Sequence, residues 1–136
     1  MRKEIEIELN KKEEDGRDTG KKFKITEMPA YQMERWAIRA LGAIGKSQAG
    51  GVMALASMGL QDVLNAFATA DFEKTEPLMN ELMECCYFIK GDTTVQLKKE
   101  FVDGVVEEWA TLLRLKMEAL KLNLGFLEQG DGLDTK

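Results

Sequence analysis

The chain has 136 residues, of which 44% are hydrophobic and 32% charged, the composition of one soluble globular domain with a sizeable core. Its 24 acidic residues outnumber its 19 basic ones, and the resulting net charge of −5 argues against nucleic acid and against an anionic membrane surface as partners. Because the sequence contains no histidine, the common zinc-binding patterns and acid–base catalysis by imidazole are excluded.

Two short segments near the N-terminus alternate between charged and apolar residues, as half-buried β-strands do. The first runs from Glu4 to Leu9 and the second from Lys22 to Thr26, with a charged loop over Asn10–Gly20 between them. They predict a β-hairpin that rests on helices, because a lone hairpin is only marginally stable in water. The charged N-terminus lacks the apolar core of a secretory signal, so we expect a cytosolic protein.

Helical signals follow the hairpin. Pro29 suits the first position of a helix, and apolar residues recur at helical spacing from there to Ile44. The glycine pair Gly50–Gly51 then interrupts the pattern. A second helix is predicted over Val52–Ala70, a stretch whose only charged residue is Asp62. Its serine, glutamine and asparagine content indicates a buried helix of a soluble domain rather than a membrane span.

The C-terminal half is predicted to contain two further helices. The third covers Glu76–Phe88, and its inward-facing residues are Leu78, Leu82, Cys85 and Cys86, with Ile89 just beyond. A turn over Gly91–Thr94 separates it from the last helix, and either Thr93 or Thr94 of this turn can serve as the N-cap of that helix. That helix begins near Val95–Leu97 and continues to about Leu127.

Together these elements define the expected fold class. It is mainly α, within α+β: an N-terminal β-hairpin packed on a bundle of about four helices, the last of them long. We predict a single domain over residues 1–128. The glycine-containing polar segment over residues 129–136 is expected to be a disordered tail, because it offers too few apolar residues to pack.

The last predicted helix carries more apolar surface than one packing partner can cover. Its apolar residues form two stripes, whose centres lie roughly 130° apart at about 100° per residue. The first stripe is Trp109, Leu113, Met117, Leu120, Leu124 and Leu127, and the second is Leu112, Leu115, Ala119, Leu122 and Phe126. A surface helix of a small domain needs one stripe, so this helix is either enclosed by its own domain or lends one stripe to another chain.

No residue pattern predicts a catalytic, cofactor or metal site. Cys85 and Cys86 are adjacent and rarely bridge in that arrangement, so we interpret them as small apolar helix residues in a reducing compartment. Glu81 and Glu84 share a helix face, but carboxylate metal sites in helix bundles also need inward histidine ligands. We therefore expect no cofactor, no bound metal and no enzymatic activity.

Two segments, taken in their order and spacing, resemble a known family. The first is Lys22–Gly45, KFKITEMPAYQMERWAIRALGAIG, a strand followed by a proline-started helix. The second is Trp109–Phe126, WATLLRLKMEALKLNLGF, a leucine-rich helix with a Lys-Leu-x-x-Gly-Phe ending. With these segments the chain resembles the tail assembly chaperones of long-tailed bacteriophages, in the short form or the N-terminal domain shared with a frameshifted longer form.

The resemblance implies a binding function in virion morphogenesis. Chaperones of this family coat the long helical tape measure protein until tail tube subunits polymerise around it. The implied partners are the tape measure protein, the tail tube protein and further copies of the chain in a homo-oligomer, with no nucleic acid and no membrane. The implied location is the cytoplasm of the bacterial host. The alternative that stays open is a small acidic helical regulator, similar to an antitoxin-like adaptor, that binds one defined protein partner.

On this hypothesis the two stripes of the last helix have different tasks. The stripe that contains Trp109 and Leu113 closes the core, and the other contacts the client or a second subunit. Lys116 and Asn123 lie between the stripes; either they extend to water and fill a polar gap, or they set the register of a helix–helix contact. The predicted protein-binding residues are Leu112, Leu115, Lys116, Leu122, Asn123 and Phe126. Aspartate at Leu115 and Leu122 is then expected to leave a folded monomer that no longer associates.

Overall fold

The computed structural model describes residues 2–9, 16–43 and 60–129. The elements in chain order are β1 (Glu4–Glu8), β2 (Lys22–Thr26), α1 (Ala30–Ala43), α2 (Leu60–Thr69), α3 (Phe72–Met83), β3 (Cys86–Lys90), β4 (Thr93–Gln96), a short 3-10 helix (Val102–Gly104) and α4 (Trp109–Gln129). Three predicted features lie partly outside the described residues: the loop between the first two strands, the second helix before Leu60, and the expected tail from residue 130 onward.

The four strands form one antiparallel sheet in the order β1-β2-β3-β4. The predicted hairpin is confirmed, with Ile7 opposite Phe23 in β1 and β2. Beyond the hairpin, Phe23 of β2 faces Phe88 of β3, and Ile89 of β3 faces Thr94 of β4. The expected fold class, a hairpin on a mainly α bundle, is therefore wrong. The described chain is α+β: two of its four strands, β3 and β4, were not predicted, and they replace the end of the third predicted helix and the start of the last one.

The third helix ends earlier than predicted because the residues after it favour a strand. The segment Cys86–Lys90, CYFIK, is rich in aromatic and β-branched residues, which pack well on a pleated surface. Gly91 has a φ of 61°, a left-handed conformation that glycine adopts without strain, and it turns the chain between β3 and β4. Val95, predicted to start the last helix, lies in β4 instead, and α4 begins only at Trp109.

The chain divides into two compact units, the first formed by residues 1–27 and 80–122. It contains the sheet, and its wholly buried side chains include Phe23, Ile25, Leu82, Leu97 and Leu115. The rings of Phe23 and Phe88 lie 5.6 Å apart between centroids. The thiol of Cys86 donates to the carbonyl oxygen of Leu115 at 3.7 Å, which places this part of α4 against the sheet face that carries Cys86.

The second unit consists of residues 28–79 and 123–136, and its described part is helical. Trp36 is wholly buried; its indole N–H donates to the carbonyl of Leu78 at 3.0 Å, and its ring centroid lies 6.0 Å from that of Phe67. The backbone N–H of Met28 donates to Oδ1 of the buried Asn123 at 2.8 Å. The prediction of a single domain over residues 1–128 stays a prediction.

Replacing Asn123 with leucine is expected to destabilise the fold by about 1–3 kcal/mol, because the buried N–H of Met28 loses its acceptor. Urea denaturation followed by circular dichroism measures the change. Lys121→Ala, at an exposed position on the same helix, is the control and should change stability by less than about 0.5 kcal/mol. Equal effects of the two substitutions would show that the hydrogen bond from Met28 contributes nothing.

Candidate protein-binding face

The start of α4 is capped by a residue from the loop between β1 and β2. The carboxylate of Asp18 accepts hydrogen bonds from the backbone N–H groups of Glu107 and Glu108, each at 3.0 Å, and from the hydroxyl of Thr111 at 2.7 Å. The residues just before Trp109 include no Ser, Thr, Asp or Asn, so the helix has no N-cap side chain of its own. Asp18 supplies one from a distant part of the sequence.

The contact is reciprocal and charged. Oε2 of Glu108 accepts the backbone N–H of Arg17 at 2.7 Å, and the ammonium of Lys21 donates to Asp18 and to the carbonyl of Val105, both at 2.7 Å. Asp18 is wholly buried. Burial by itself raises the pKa of Asp18, but the hydrogen bonds that the carboxylate accepts, led by that from Lys21, outweigh it and lower the pKa from 3.8 to about 2.

This contact determines which side of α4 faces the core. Glu108, Thr111, Leu115 and Ala119 recur at helical spacing, and all four are buried. Trp109 and Leu113 lie roughly 130° away around the helix, at about 100° per residue. Their exposed fractions are 76% and 48%. The first half of α4 therefore turns the face with Glu108, Thr111 and Leu115 inward and the apolar pair Trp109 and Leu113 outward.

The division of the two stripes predicted from the sequence does not match the burial of the first half of α4. Trp109 and Leu113, expected in the core, are exposed, whereas Leu115, expected to bind a partner, is wholly buried. Further along, Leu120 and Leu124 of one stripe and Ala119 of the other are all buried. Among the described side chains, the buried side of α4 thus continues past its midpoint, whereas Trp109 and Leu113 in its first half are exposed. Whether a partner covers the exposed pair stays a prediction.

The other predicted binding residues are not brought together on one exposed surface. Leu112 and Leu122 are half-buried. Lys116 is also half-buried, and burial lowers the pKa of its ammonium group. Asn123 is buried and accepts its hydrogen bond from Met28 of its own chain. Phe126 belongs to α4, but its side chain lies outside the described part of the structure.

The candidate surface therefore lies mainly on the stripe that was predicted to close the core, with Leu112 as its one member from the predicted binding stripe. We call it the outer α4 face, and its members are Trp109, Leu112, Leu113 and Met117. Leu112 and Met117 are half-buried and flank the exposed pair. Asp18, which caps α4, lies in the charged loop between β1 and β2. No sequence signal pointed to it, because the last helix was predicted to begin near Val95–Leu97, with Thr93 or Thr94 as its N-cap.

The two cysteines are poorly placed to act as nucleophiles. Both are buried, and Cys86 starts β3 rather than continuing a helix as expected. Burial, together with the neighbouring Cys85, raises the pKa of the Cys86 thiol, which stays protonated and a poor nucleophile at neutral pH. In the described ranges no group of three or more His, Cys, Asp or Glu side chains is placed to hold a metal ion.

No protein-family model, no curated protein and no solved structure matches this chain. Within residues 2–9, 16–43 and 60–129, no helix combines the length and the apolar character needed to cross a membrane.

Proposed function

We propose that the protein is a non-enzymatic tail assembly chaperone of a long-tailed bacteriophage. It binds the tape measure protein in the host cytoplasm and keeps it soluble until the tail tube polymerises. The resemblance of Lys22–Gly45 and Trp109–Phe126 to that family supports this function. The structural observation that carries it is the exposure of Trp109 and Leu113 on a helix whose opposite side is buried.

The outer α4 face has the geometry of a surface that receives a helix. Trp109 and Leu113 are one helical turn apart, so an amphipathic partner helix can lay its own apolar stripe along them. Tryptophan is enriched among residues whose truncation costs an interface 2 kcal/mol or more. Met117, at the edge of the face, has a flexible side chain that adapts to different neighbours, as a protein coating a long client requires.

The charge of the chain supports the same function. A chaperone that exposes apolar side chains must itself stay in solution, and a net charge of −5 opposes aggregation. Arg114 and Lys121 form ion pairs with Glu118 on the same helix, with N–O distances of 3.6 and 3.9 Å. Mixed charges of this kind keep the helix surface around the apolar pair hydrated.

The test is co-expression with a tape measure protein, the long helical client that this function requires, followed by size-exclusion chromatography with light scattering. The expected result is a soluble complex that contains several copies of the chain for each client. If the long protein stays insoluble and this chain elutes alone, the proposal fails. A one-to-one complex with a small basic protein would favour the acidic regulator instead.

The surface is tested by Trp109→Ser combined with Leu113→Ser. Loss of two central apolar contacts is expected to weaken the complex by about a hundredfold or more, with the fold unchanged, because both side chains are exposed in the isolated chain. The matched control is Tyr31→Ser with Ile38→Ser, two exposed apolar residues of α1. If the Trp109→Ser, Leu113→Ser variant still binds the client, or if both double variants lose binding equally, the outer α4 face is not the binding surface.

A further inference from the structure

Within the described ranges, the outer edge of β1 is an open sheet edge. Among the described residues, β1 pairs with β2 on one side and with no strand on the other. An open edge presents unpaired backbone N–H and C=O groups and can template another strand. This edge is regular over the whole of Glu4–Glu8, without a proline or a bulge in its register with β2.

The backbone groups that face outward belong to the glutamates. The carbonyl of Lys3 accepts the N–H of Glu27, and the N–H of Leu9 donates to the carbonyl of Lys21, each at 3.0 Å. Lys3 and Leu9, the odd-numbered residues that flank β1, therefore direct these backbone groups toward β2. Because direction alternates along an antiparallel strand, Glu4, Glu6 and Glu8 direct their N–H and C=O groups away from β2.

The two faces of β1 carry different kinds of side chain and would therefore pair with different residues of an added strand. Glu4, Glu6 and Glu8 are exposed on one face. Ile5 and Ile7 lie on the other, opposite the wholly buried Ile25 and Phe23, yet they are themselves only half-buried. A cleft of about 230 Å³ on the hairpin is lined by Glu6, Ile7 and Glu8 of β1 and by Lys22 of β2. A strand added here would cover the isoleucines with its apolar residues and place its other side chains beside the carboxylates.

The chain already shows this pairing on the inner side of β1. Glu6 lies opposite Lys24, and Glu8 lies opposite Lys22, with the apolar residues of β2 between them. A second copy of β1 would instead place glutamate opposite glutamate, which is destabilising. We infer that the outer edge of β1 binds an extended segment of a different protein that alternates Lys or Arg with apolar residues. The inference concerns a surface separate from the outer α4 face and does not rest on the proposed function.

The probe is a short fluorescent peptide with the core Lys-Val-Lys-Val-Lys, titrated into the full chain and followed by anisotropy. Two N-methylated versions have equal charge and composition. Methyl groups on the lysine amides remove the donors that would face the glutamates of β1, whereas methyl groups on the valine amides point away from it. Because it loses hydrogen bonds to β1, the lysine-methylated peptide is expected to bind the protein about tenfold or more weakly than the unmethylated peptide. The affinity of the valine-methylated peptide should be nearly unchanged.

The matching variant of the protein is Glu6→Pro. Proline removes the outward N–H of Glu6 but no hydrogen bond between β1 and β2, so the hairpin should persist, as circular dichroism can verify. We expect Glu6→Pro to lower the affinity for the unmethylated peptide by a similar factor. If the unmethylated peptide does not bind, the inference is overturned. Equal affinity of the two methylated peptides would also overturn it, because binding would then depend on charge attraction and not on strand pairing. Concentration-dependent self-association that Glu6→Pro abolishes would assign the edge to a second copy, and this too would overturn it. If Glu6→Pro does not fold, the two methylated peptides still decide the question on the unaltered chain.

Discussion

Replacing Leu115 with aspartate is expected to unfold the protein. Leu115 is wholly buried, and its carbonyl accepts the thiol of Cys86 from the sheet. Loss of a buried leucine side chain alone costs about 2–5 kcal/mol. An unpaired carboxylate in the same place adds several kcal/mol more. Since a typical domain is stable by only about 5–15 kcal/mol, the sum removes most or all of the stability.

Leu113→Asp is the matched control for this prediction. It introduces the same residue into the same helix two positions away, where the side chain is 48% exposed. The variant should stay folded, with a change of about 1 kcal/mol or less. Circular dichroism and urea denaturation measure both variants. A folded, cooperative Leu115→Asp monomer would restore the sequence-based assignment of Leu115 to a partner and would place Trp109 and Leu113 in doubt as the binding surface.

Replacing Asp18 with asparagine is expected to destabilise the protein by about 2–4 kcal/mol. The wholly buried carboxylate accepts the N–H groups of Glu107 and Glu108, the hydroxyl of Thr111 and the ammonium of Lys21. Asparagine has one acceptor oxygen where aspartate has two, and its amide N–H groups would face other donors. Removing one partner of a buried charged network leaves the others unsatisfied, which is why the loss exceeds that of one ordinary hydrogen bond.

The same residue predicts a pH dependence. The folded pKa of Asp18, about 2, is below its ordinary value of 3.8, so ionised Asp18 stabilises the fold. That contribution, roughly 2 kcal/mol, is present in full above about pH 5 and is lost as the pH falls from about 4 to 2. In urea denaturation at a series of pH values, the stability difference between the wild-type chain and Asp18→Asn should narrow over that range. A difference that stays constant down to pH 2 would show that the charge of Asp18 is not what stabilises the contact.

Local chemistry alone was enough to predict some of the elements. The alternation in Glu4–Leu9 and Lys22–Thr26 predicts the hairpin, because a half-buried strand places successive side chains on opposite faces. Pro29 and the apolar spacing after it predict α1, which the structure places over Ala30–Ala43. In these segments, hydrophobic period, start signal and residue preference agree, so tertiary contacts had nothing to override.

The sheet beyond the hairpin was not predictable in the same way. A short apolar run such as Cys85–Ile89 fits a helix or a buried strand equally well by periodicity. Its partner, β2, is far away in the sequence and decides the matter by pairing Phe23 with Phe88. Once β3 forms, Gly91 turns the chain and β4 follows, which removes Val95 from the predicted last helix.

By itself, the sequence determined that α4 carries two apolar stripes and that one of them exceeds what a surface helix needs. Only the tertiary structure decided which stripe is buried. Both stripes have similar apolar content, so helical periodicity cannot rank them. Asp18 does, because a buried carboxylate must be fully hydrogen-bonded, and it obtains those bonds only when Glu108 and Thr111 face inward. That rotation of the helix leaves Trp109 and Leu113 exposed to solvent.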